Sequence, residues 1–394
     1  MRIAPICLAL AVAFGGLSAV QAQDCPECGT IWRIPQDFPQ IQDAIDSELV
    51  DDGDCIQLYS GTYQEFDFKG KAVKVFAGPD RLPPARILPS PGYNGPLVKC
   101  VSGEGPCSIL ENVYVEGGSN PGGNGGGILI QNASPTFIDC NIIDNDARHG
   151  AGAYIDGGSP HFTNCVFEEN TASHSSSGNT NSHGGAVYIT STNDNPDGEQ
   201  PQFKNCEFTS NECQAFTYHT NYYDRSSNAR GGAIYASDSS PMIDDCTFAS
   251  NEAFAECKGN GPSSSQRYSY AAGGALYLAN NSMAVITDSS FSFNVAHSQS
   301  FDEDPRSWSD GGAAYITSSP EAAFLDCSFS ENLADNAGEL ERLSRGGAVY
   351  ITGTFTQPVF ANCDFGPNFV AGVDEDGGGS VYIAAASGVS LEEC

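Results

Sequence analysis

The sequence predicts an all-β fold, a right-handed parallel β-helix, in which short strands wind into a solenoid of stacked coils. Three observations carry this prediction. A block of the form Gly-Gly-Ala-x-Tyr-x occurs in eight versions, and a second block, Phe-x-Asn/Asp-Cys-x-Phe-x-x-Asn, accompanies most of them. Gly, Pro and Asn also recur every few residues, which leaves no room for long helices. Internal repetition of this kind is typical of solenoids.

The first block has the periodicity of a strand. Its copies begin at residues 125, 150, 184, 231, 273, 311, 346 and 378. The fourth and sixth positions are mostly aliphatic and the fifth is usually Tyr, which indicates a strand with one buried face. Equivalent strands one coil apart must run parallel, about 4.8 Å from each other. A β-propeller is the alternative, but its blades need about 40 residues or more, and the shortest interval here is 25 residues.

The second block predicts two buried columns. The Cβ vectors of cysteines stacked on successive coils would point in the same direction, which is poor disulfide geometry. A single column of thiols also offers no tetrahedral metal site. We therefore expect small buried thiols in one column. In the other column, Asn tolerates left-handed turns, and its amide can bond the next coil, so an amide ladder should close the corner. The cysteines are Cys140, Cys165, Cys206, Cys246, Cys327, Cys363 and Cys394, with Ser289 in the remaining copy; the asparagines are Asn145, Asn170, Asn211, Asn251, Asn294, Asn332 and Asn368.

The N-terminal region differs from the repeats. Residues 1–22 have the features of a secretory signal peptide, with an apolar run and a small-residue cleavage site at Ala22. A membrane anchor is the alternative, but the run is short and interrupted by glycine. Residues 23–110 are expected to form an N-terminal cap and the first coils, and residues 111–394 the repeat array.

A short amphipathic helix is expected in the cap. Its apolar side would carry Phe38, Ile41, Ala44, Ile45 and Leu49. Such a helix hides the open edge of a parallel coil, which would otherwise promote aggregation. The final segment, SLEEC, matches the start of a further coil left incomplete. Either the sequence is a fragment, or the last coil is open or is covered by a partner.

The signal peptide predicts a secreted or cell-surface protein, and the composition narrows its possible partners. A formal net charge of −32 argues against nucleic acid as a partner, and no other apolar run is long enough for a transmembrane segment. An apolar content of 40% and the regular aromatic positions argue against disorder. Disulfides persist outside the cytoplasm. The candidate pairs, which lie off the cysteine column, are Cys25–Cys28, Cys100–Cys107 and Cys213–Cys257.

Two family resemblances are visible in these motifs. The segments DFPQIQDAID and DGDCIQLYSGTY, together with the stacked coils, resemble the pectin-lyase-like superfamily of parallel β-helix proteins. The paired GGAVYI and FxxN motifs resemble the repeats of chlamydial polymorphic membrane proteins. The asparagine column is similar to the asparagine ladders of pectate lyases. These resemblances imply the fold but leave the function open, because the superfamily includes lyases, hydrolases, adhesins and inert scaffolds.

Candidate catalytic residues lie immediately before the glycine blocks. Stacking would align His149, His183 and Arg230, which could act as bases in an otherwise acidic protein. A column of solvated turn residues is the alternative. Calcium is the only cofactor candidate, since carboxylates recur in residues 193–199, 302–305 and 374–378, although none of these stretches has the spacing of a complete calcium loop.

Candidate ligand-binding residues are aromatic. The tyrosine of the first block should point outward, and insertions between FxxN and the next glycine block should form a wall of loops at one corner. Aromatic residues on a rigid scaffold suit recognition of sugars. The candidates are Tyr188 and Tyr235 in the strands, and Tyr218, Tyr222, Tyr223, Tyr268, Tyr270 and Trp308 in the insertions.

The leading functional hypothesis is therefore a scaffold that binds polysaccharides or cell-surface glycans. A polysaccharide lyase or hydrolase acting on an acidic polysaccharide is the alternative, and a purely structural envelope element is a third.

Overall fold

The computed structural model describes residues 25–78, 84–193, 198–219, 225–259, 267–301, 305–337, 342–372, 375–384 and 388–394. The signal peptide predicted for residues 1–22 lies outside these ranges. Among the described residues, one short helix, Ile41–Asp46, accompanies strands that pair in parallel throughout. No described helix has the length and apolarity that crossing a bilayer requires. The predicted all-β fold, a right-handed parallel β-helix, is confirmed.

Each coil visits three barrel faces in a fixed order. One coil, for example, runs from Thr136–Ile138 on face 1 to Asn141–Ile143 on face 2, and then through Asp146–His149 to Ala153–Asp156 on face 3. The next coil starts at His161–Thr163, which pairs in register with Thr136–Ile138. A fourth sheet, which we call the fin, leaves the barrel between faces 2 and 3.

The described strands of the barrel fall into three sheets. Face 1 contains Ile31–Ile34, Cys55–Leu58, Lys74–Ala77, Ile109–Glu111, Thr136–Ile138, His161–Thr163, Gln202–Lys204, Met242–Asp244, Val285–Thr287, Ala323–Leu325, Val359–Ala361 and Ser390–Glu392. Face 2 contains Gly61–Tyr63, Ala85–Ile87, Tyr114–Glu116, Asn141–Ile143, Val166–Glu168, Glu207–Thr209, Thr247–Ala249, Ser290–Ser292, Ser328–Ser330 and Asp364–Phe365. Face 3 contains Phe66–Asp67, Val98–Cys100, Ile128–Gln131, Ala153–Asp156, Val187–Thr190, Ile234–Ser237, Leu276–Ala279, Ala314–Thr317, Val349–Thr352 and Val381–Ile383.

The barrel interior is filled by aromatic stacks. Phe162 and Phe203 from face 1 lie parallel with ring centroids 5.1 Å apart. Phe208 and Phe248 from face 2 stack at 4.7 Å. These rings have no solvent-exposed surface. On face 2 the inward position is Phe in six consecutive coils, from Phe167 to Phe365, whereas Ile243 and Ile286 interrupt the stack on face 1.

The two columns predicted from the second block are both present. In the asparagine ladder, each side-chain amide donates a hydrogen bond of 2.9–3.0 Å to the side-chain oxygen of the next asparagine, from Asn145 to Asn368. The column cysteines carry free thiols, which are buried except at Cys394. Buried amide and thiol side chains that are hydrogen-bonded cost little free energy. Because their hydrogen bonds run between coils, the two columns stabilise the stacking of neighbouring coils.

The predicted disulfide pairs are wrong. The structure contains Cys25–Cys107 and Cys28–Cys55, and leaves Cys100, Cys213 and Cys257 as free thiols. The bridges tie the N-terminal segment to Cys55 within face 1 and to Cys107, two residues before the face 1 strand Ile109–Glu111, across sequence separations of 27 and 82 residues. Cys213 is in register with Ala253, whereas Cys257 is in register with Thr217. Cys213 and Cys257 are thus offset by four residues along neighbouring strands, beyond the span of a disulfide.

The N-terminal helix is shorter than the predicted apolar face. It buries Ile41, Ala44 and Ile45, while Leu49 lies beyond its end and is 66% exposed. The side chain of Gln42 accepts a hydrogen bond from the backbone N–H of Asp67 and donates one to its carbonyl oxygen. Asp67 belongs to the first strand of face 3. A side-chain amide therefore takes the place of a neighbouring strand at this edge, as expected for a cap.

Candidate functional site

The insertions form the fin instead of loops. In each described coil from Thr171 onward, an outgoing strand leaves the barrel and a returning strand comes back. Both kinds of strand stack on their equivalents in a sheet folded at Asp146–His149. Ser119–Asn124 pairs beside this fold. The outgoing strands are Thr171–Ser176, Glu212–His219, Glu252–Gly259, Val295–Ser300, Leu333–Asn336 and Phe369–Ala371; the returning strands are Thr180–His183, Arg225–Arg230, Arg267–Ala272, Pro305–Asp310, Arg342–Arg345 and Glu375–Gly377.

Small side chains hold the two arms of the fin together. Cys213, Ala215, Ala229 and their equivalents form one buried cluster. Hydroxyl groups cross between the arms, as in the 2.7 Å hydrogen bond between Ser298 and Ser309. The alternation of small residues at Cys213, Ala215 and Thr217 was the sequence signal for these strands, since period two predicts a strand. Long insertions with frequent Ser and Gly obscured that signal.

The fin separates the predicted aromatic wall into different surfaces. Tyr218 is 48% exposed on the outgoing face, whereas Tyr268 and Trp308 lie on the returning face. Tyr270 packs edge-on against Tyr315 of face 3, with ring centroids 6.0 Å apart. Tyr222 and Tyr223 lie outside the described residues. The candidate residues therefore do not form one continuous wall.

The returning face combines aromatic and basic groups. The Tyr268 and Trp308 rings stack with their centroids 5.6 Å apart and their planes 9° apart, and both remain partly exposed. Arg306 is the in-register neighbour of Tyr268. Six of the 17 Lys and Arg residues of the chain lie on returning strands: Arg225, Arg230, Arg267, Arg306, Arg342 and Arg345. Arg230, Arg306 and Arg345 alternate with the buried serines and so share the face of Trp308, and Arg345 is paired there with Asp310.

The tyrosine column of face 3 forms as predicted, but it is largely covered. Its rings stack in register from Tyr154 to Tyr382, with centroids 4.8–5.5 Å apart. Tyr235 is only 6% exposed, and Tyr188 is partly buried. The residues just before the glycine blocks lie over these rings, because the returning arm meets face 3 at a closed corner. Tyr188 and Tyr235, two of the ligand-binding candidates, therefore point outward but present little open surface.

The basic candidates line this corner. His149, His183 and Arg230 are in register on consecutive coils, as the sequence predicted. The His183 ring stacks on Tyr235 at 4.5 Å, and the Arg230 guanidinium lies 5.5 Å from the Tyr277 ring centroid. Burial lowers the pKa of His149 to about 4 and lowers the pKa of His183 well below its usual value. Both imidazoles are therefore neutral at pH 7.

The same column contains an ion pair that the sequence analysis did not identify. Asp310 is fully buried and accepts hydrogen bonds of 2.8 and 2.7 Å from Nε and an Nη of Arg345, one coil away. The guanidinium also lies 4.6 Å from the Tyr350 ring centroid. Burial raises the pKa of the Asp310 carboxyl, while the two hydrogen bonds from Arg345 oppose that shift. This bidentate geometry orients Arg345 over the tyrosine column.

Acidification is expected to destabilise the corner. An unfolded histidine binds a proton below about pH 6.5, whereas folded His149 does so only near pH 4. The unfolded state therefore binds more protons in that window, so stability falls as pH drops from about 6.5 towards 4. Thermal melts between about pH 6.5 and 4 should show that the melting temperature falls less with decreasing pH in the double variant His149→Phe/His183→Phe than in the wild type. Identical slopes would contradict the assignment of this pH dependence to the corner.

The described residues contain no group of three or more His, Cys, Asp or Glu side chains placed to hold one metal ion together. Of the acidic stretches considered for calcium, residues 194–197 and 302–304 lie outside the described ranges. Calcium binding by those stretches remains a prediction.

Comparisons with known proteins give limited information. No protein-family model matches the chain, and no curated protein matches it significantly. A crystal structure of pectate lyase Pel9A is similar to 92% of this chain and 79% of that chain, with 14% sequence identity and a TM-score of 0.38. A similarity this weak supports no functional argument. The resemblance of the repeats to chlamydial polymorphic membrane proteins is not confirmed.

Proposed function

We propose that the protein is an extracellular binding scaffold that recognises an acidic polysaccharide through the returning face of the fin. The observation that carries the proposal is the stacked, partly exposed pair of Tyr268 and Trp308 beside Arg306. Aromatic rings suit the apolar faces of sugars, and guanidinium groups bind carboxylates and sulfates with directed hydrogen bonds.

The shape of the returning face suits an extended chain. Asn228, Tyr270, Trp308 and Leu343 occupy one register position on four consecutive coils. Backbone pairing between the coils and the packed small-residue interior of the fin hold these positions rigidly. A rigid surface loses little conformational entropy on binding. The repeated spacing would present successive contacts to successive sugar units.

The charge distribution favours an acidic ligand. Outgoing strands carry Glu212, Glu252, Glu256 and Asp335, whereas Arg306 lies beside the aromatic pair on a returning strand. An acidic polymer would be repelled by most of this protein and attracted to the returning face, which favours one orientation of binding.

Replacing Trp308 with alanine should weaken binding about two- to tenfold, since loss of one aromatic contact costs about 0.5–1.5 kcal/mol. Calorimetric titration with oligogalacturonates and with uncharged cello-oligosaccharides measures both affinity and charge preference. Tyr218→Ala is the matched control, because it removes an exposed aromatic ring from the opposite face. Equal weakening by both variants, or equal affinity for charged and neutral chains, would contradict the proposal.

A lyase or hydrolase remains the second candidate because of one observation. Nδ1 of His149 and Nε2 of His183 are buried and have no hydrogen-bond partner among the described residues. An imidazole nitrogen without a hydrogen-bond partner can accept a proton, although burial lowers the pKa of both rings, which makes them weak bases at neutral pH. The same oligogalacturonate incubations distinguish this candidate, because a lyase would generate unsaturated products that absorb in the ultraviolet.

A further inference from the structure

The outgoing face of the fin carries an apolar surface that polysaccharide binding on the returning face does not use. The centroid of the Phe216 ring lies 6.3 Å from that of Tyr218 and 5.5 Å from that of Phe254. Val295 and Leu333 continue this surface on the next two coils. All five side chains alternate along their strands with small buried residues of the fin interior, so they lie on its outer side. We call this diagonal row the apolar band.

A sixth apolar side chain lies beside the band in an unusual backbone conformation. Phe293, in the turn two residues before Val295, is 58% exposed. Its φ is 56°, in the left-handed region that bulky side chains rarely adopt. Equivalent turns share this conformation but carry small or charged residues: Asp144, Glu169, Ser210, Ser250 and Glu331. An exposed aromatic ring in a disfavoured conformation does not help the chain fold, so Phe293 points to an external contact.

Carboxylates flank the band on both sides. Asp335 lies on the side of the later coils, in register with His297. The ring nitrogens of His297 lie 3.6 Å from a carboxylate oxygen of Glu252 and 4.0 Å from one of Asp335. The glutamates on the side of the earlier coils are Glu212 and Glu252. The band is therefore an apolar strip with an acidic rim.

We propose that the apolar band and Phe293 bind a basic amphipathic helix of a partner protein. The apolar side of such a helix would lie along the band, and its lysine and arginine side chains would reach the carboxylates on either side. With coils about 4.8 Å apart and residues about 3.3 Å apart along a strand, the band is roughly 25 Å long. A helix of about 16 residues has the same length.

Charge favours this occupant over the other candidates. On the outgoing strands that the structure describes, Lys258 is the only lysine or arginine, and it already pairs with Glu256. A second copy of the chain has a formal net charge of −32 and would be repelled by this acidic face. An anionic membrane would be repelled for the same reason. A cationic segment is instead attracted, and such attraction speeds and orients association.

A synthetic peptide tests the proposal with the full chain. The probe is a labelled peptide of about 18 leucine and lysine residues, with its leucines on one face of a helix. Fluorescence anisotropy measures its affinity at about 0.15 M salt, where long-range attraction is screened. Phe293→Ser should weaken binding roughly tenfold, as loss of an aromatic hot spot does. The variant should fold, because Ser210 and Ser250 occupy the equivalent turns.

The acidic rim is tested by the double variant Glu252→Gln/Asp335→Asn. Both carboxylates are partly exposed, so these amides of the same shape should leave the fold intact. The affinity of the double variant should be lower than that of the wild type and should fall less steeply with added salt, because fewer charges are screened. An unchanged salt dependence would overturn the assignment of a basic occupant.

Phe355→Ser is the matched control for Phe293→Ser. Phe355 also has a positive φ, 69°, and is 74% exposed, but it lies in the turn between faces 3 and 1, away from the fin. This variant should bind the peptide as the wild type does. Equal weakening by both variants, no weakening by Phe293→Ser, or equal affinity for a scrambled peptide without an apolar face would each overturn the proposal. So would self-association that Phe293→Ser abolishes in sedimentation experiments, because a second copy would then be the occupant.

Discussion

Replacing Gly274 with alanine is expected to destabilise the repeat array by about 4 kcal/mol or more, among the largest effects of a single substitution. A Cβ atom at this position would lie 2.5 and 2.6 Å from the backbone N and C of Val295, and would also collide with the carbonyl oxygen of Gly312. Val295 starts an outgoing fin strand, and Gly312 belongs to the next coil. To relieve this clash, the backbone at both Val295 and Gly312 would have to move, and this movement would break backbone pairing in the barrel and in the fin.

Urea denaturation followed by circular dichroism measures this loss. Gly105→Ala is the matched control, because an added Cβ there has no atom within 4 Å; its stability should stay within about 0.5 kcal/mol of wild type. The result also tests the repeated glycine pair. A small effect of Gly274→Ala would mean that close backbone approach is not the reason for the second glycine.

Replacing Asp310 with alanine is expected to cost about 3 kcal/mol, because it leaves the partly buried Arg345 guanidinium without its carboxylate. The size of the effect follows from burial: Asp310 is fully buried, and the Arg345 side chain is 23% exposed. Loss of two charge-assisted hydrogen bonds would also release Arg345 from its position over Tyr350. Thermal and urea denaturation of the full chain measure the effect.

A double variant separates loss of the pair from exposure of a lone charge. Asp310→Ala with Arg345→Met should be less destabilised than Asp310→Ala alone, since removing both charges leaves none uncompensated. Ala272, at the equivalent position, shows that the corner accepts a small apolar side chain. Asp46→Ala is the control for an exposed ion pair, with Lys69, and should cost under about 1 kcal/mol. If the double variant were less stable than Asp310→Ala alone, this account would be refuted.

Several features of the barrel could be predicted from local pattern alone. Alternation in GGAVYI places Val187 and Ile189 inward and Tyr188 outward, and all three do so in the structure. The spacing of the second block located the asparagine ladder, because each coil repeats the same corner. Register followed from the repeats as well, since His149, His183 and Arg230 do stack.

Other features depended on segments that are distant in sequence. The disulfides join Cys25 to Cys107 and Cys28 to Cys55 because the N-terminal segment lies along face 1, a placement that cysteine spacing does not encode. The insertions became a fin because their alternating small residues could pack only against a second arm. No property of the outgoing strands alone specifies that second arm.

The sequence by itself determined the strands, their inward faces and their stacking, because period two and a repeated unit are local properties that each coil satisfies with its neighbour. Only the tertiary structure decided which outward faces remain exposed. Tyr235 points out of the barrel as predicted, yet it is 6% exposed because His183 stacks on it from the returning arm. Exposure depends on which other segment covers a face, and that is settled by packing between elements rather than by the pattern within one.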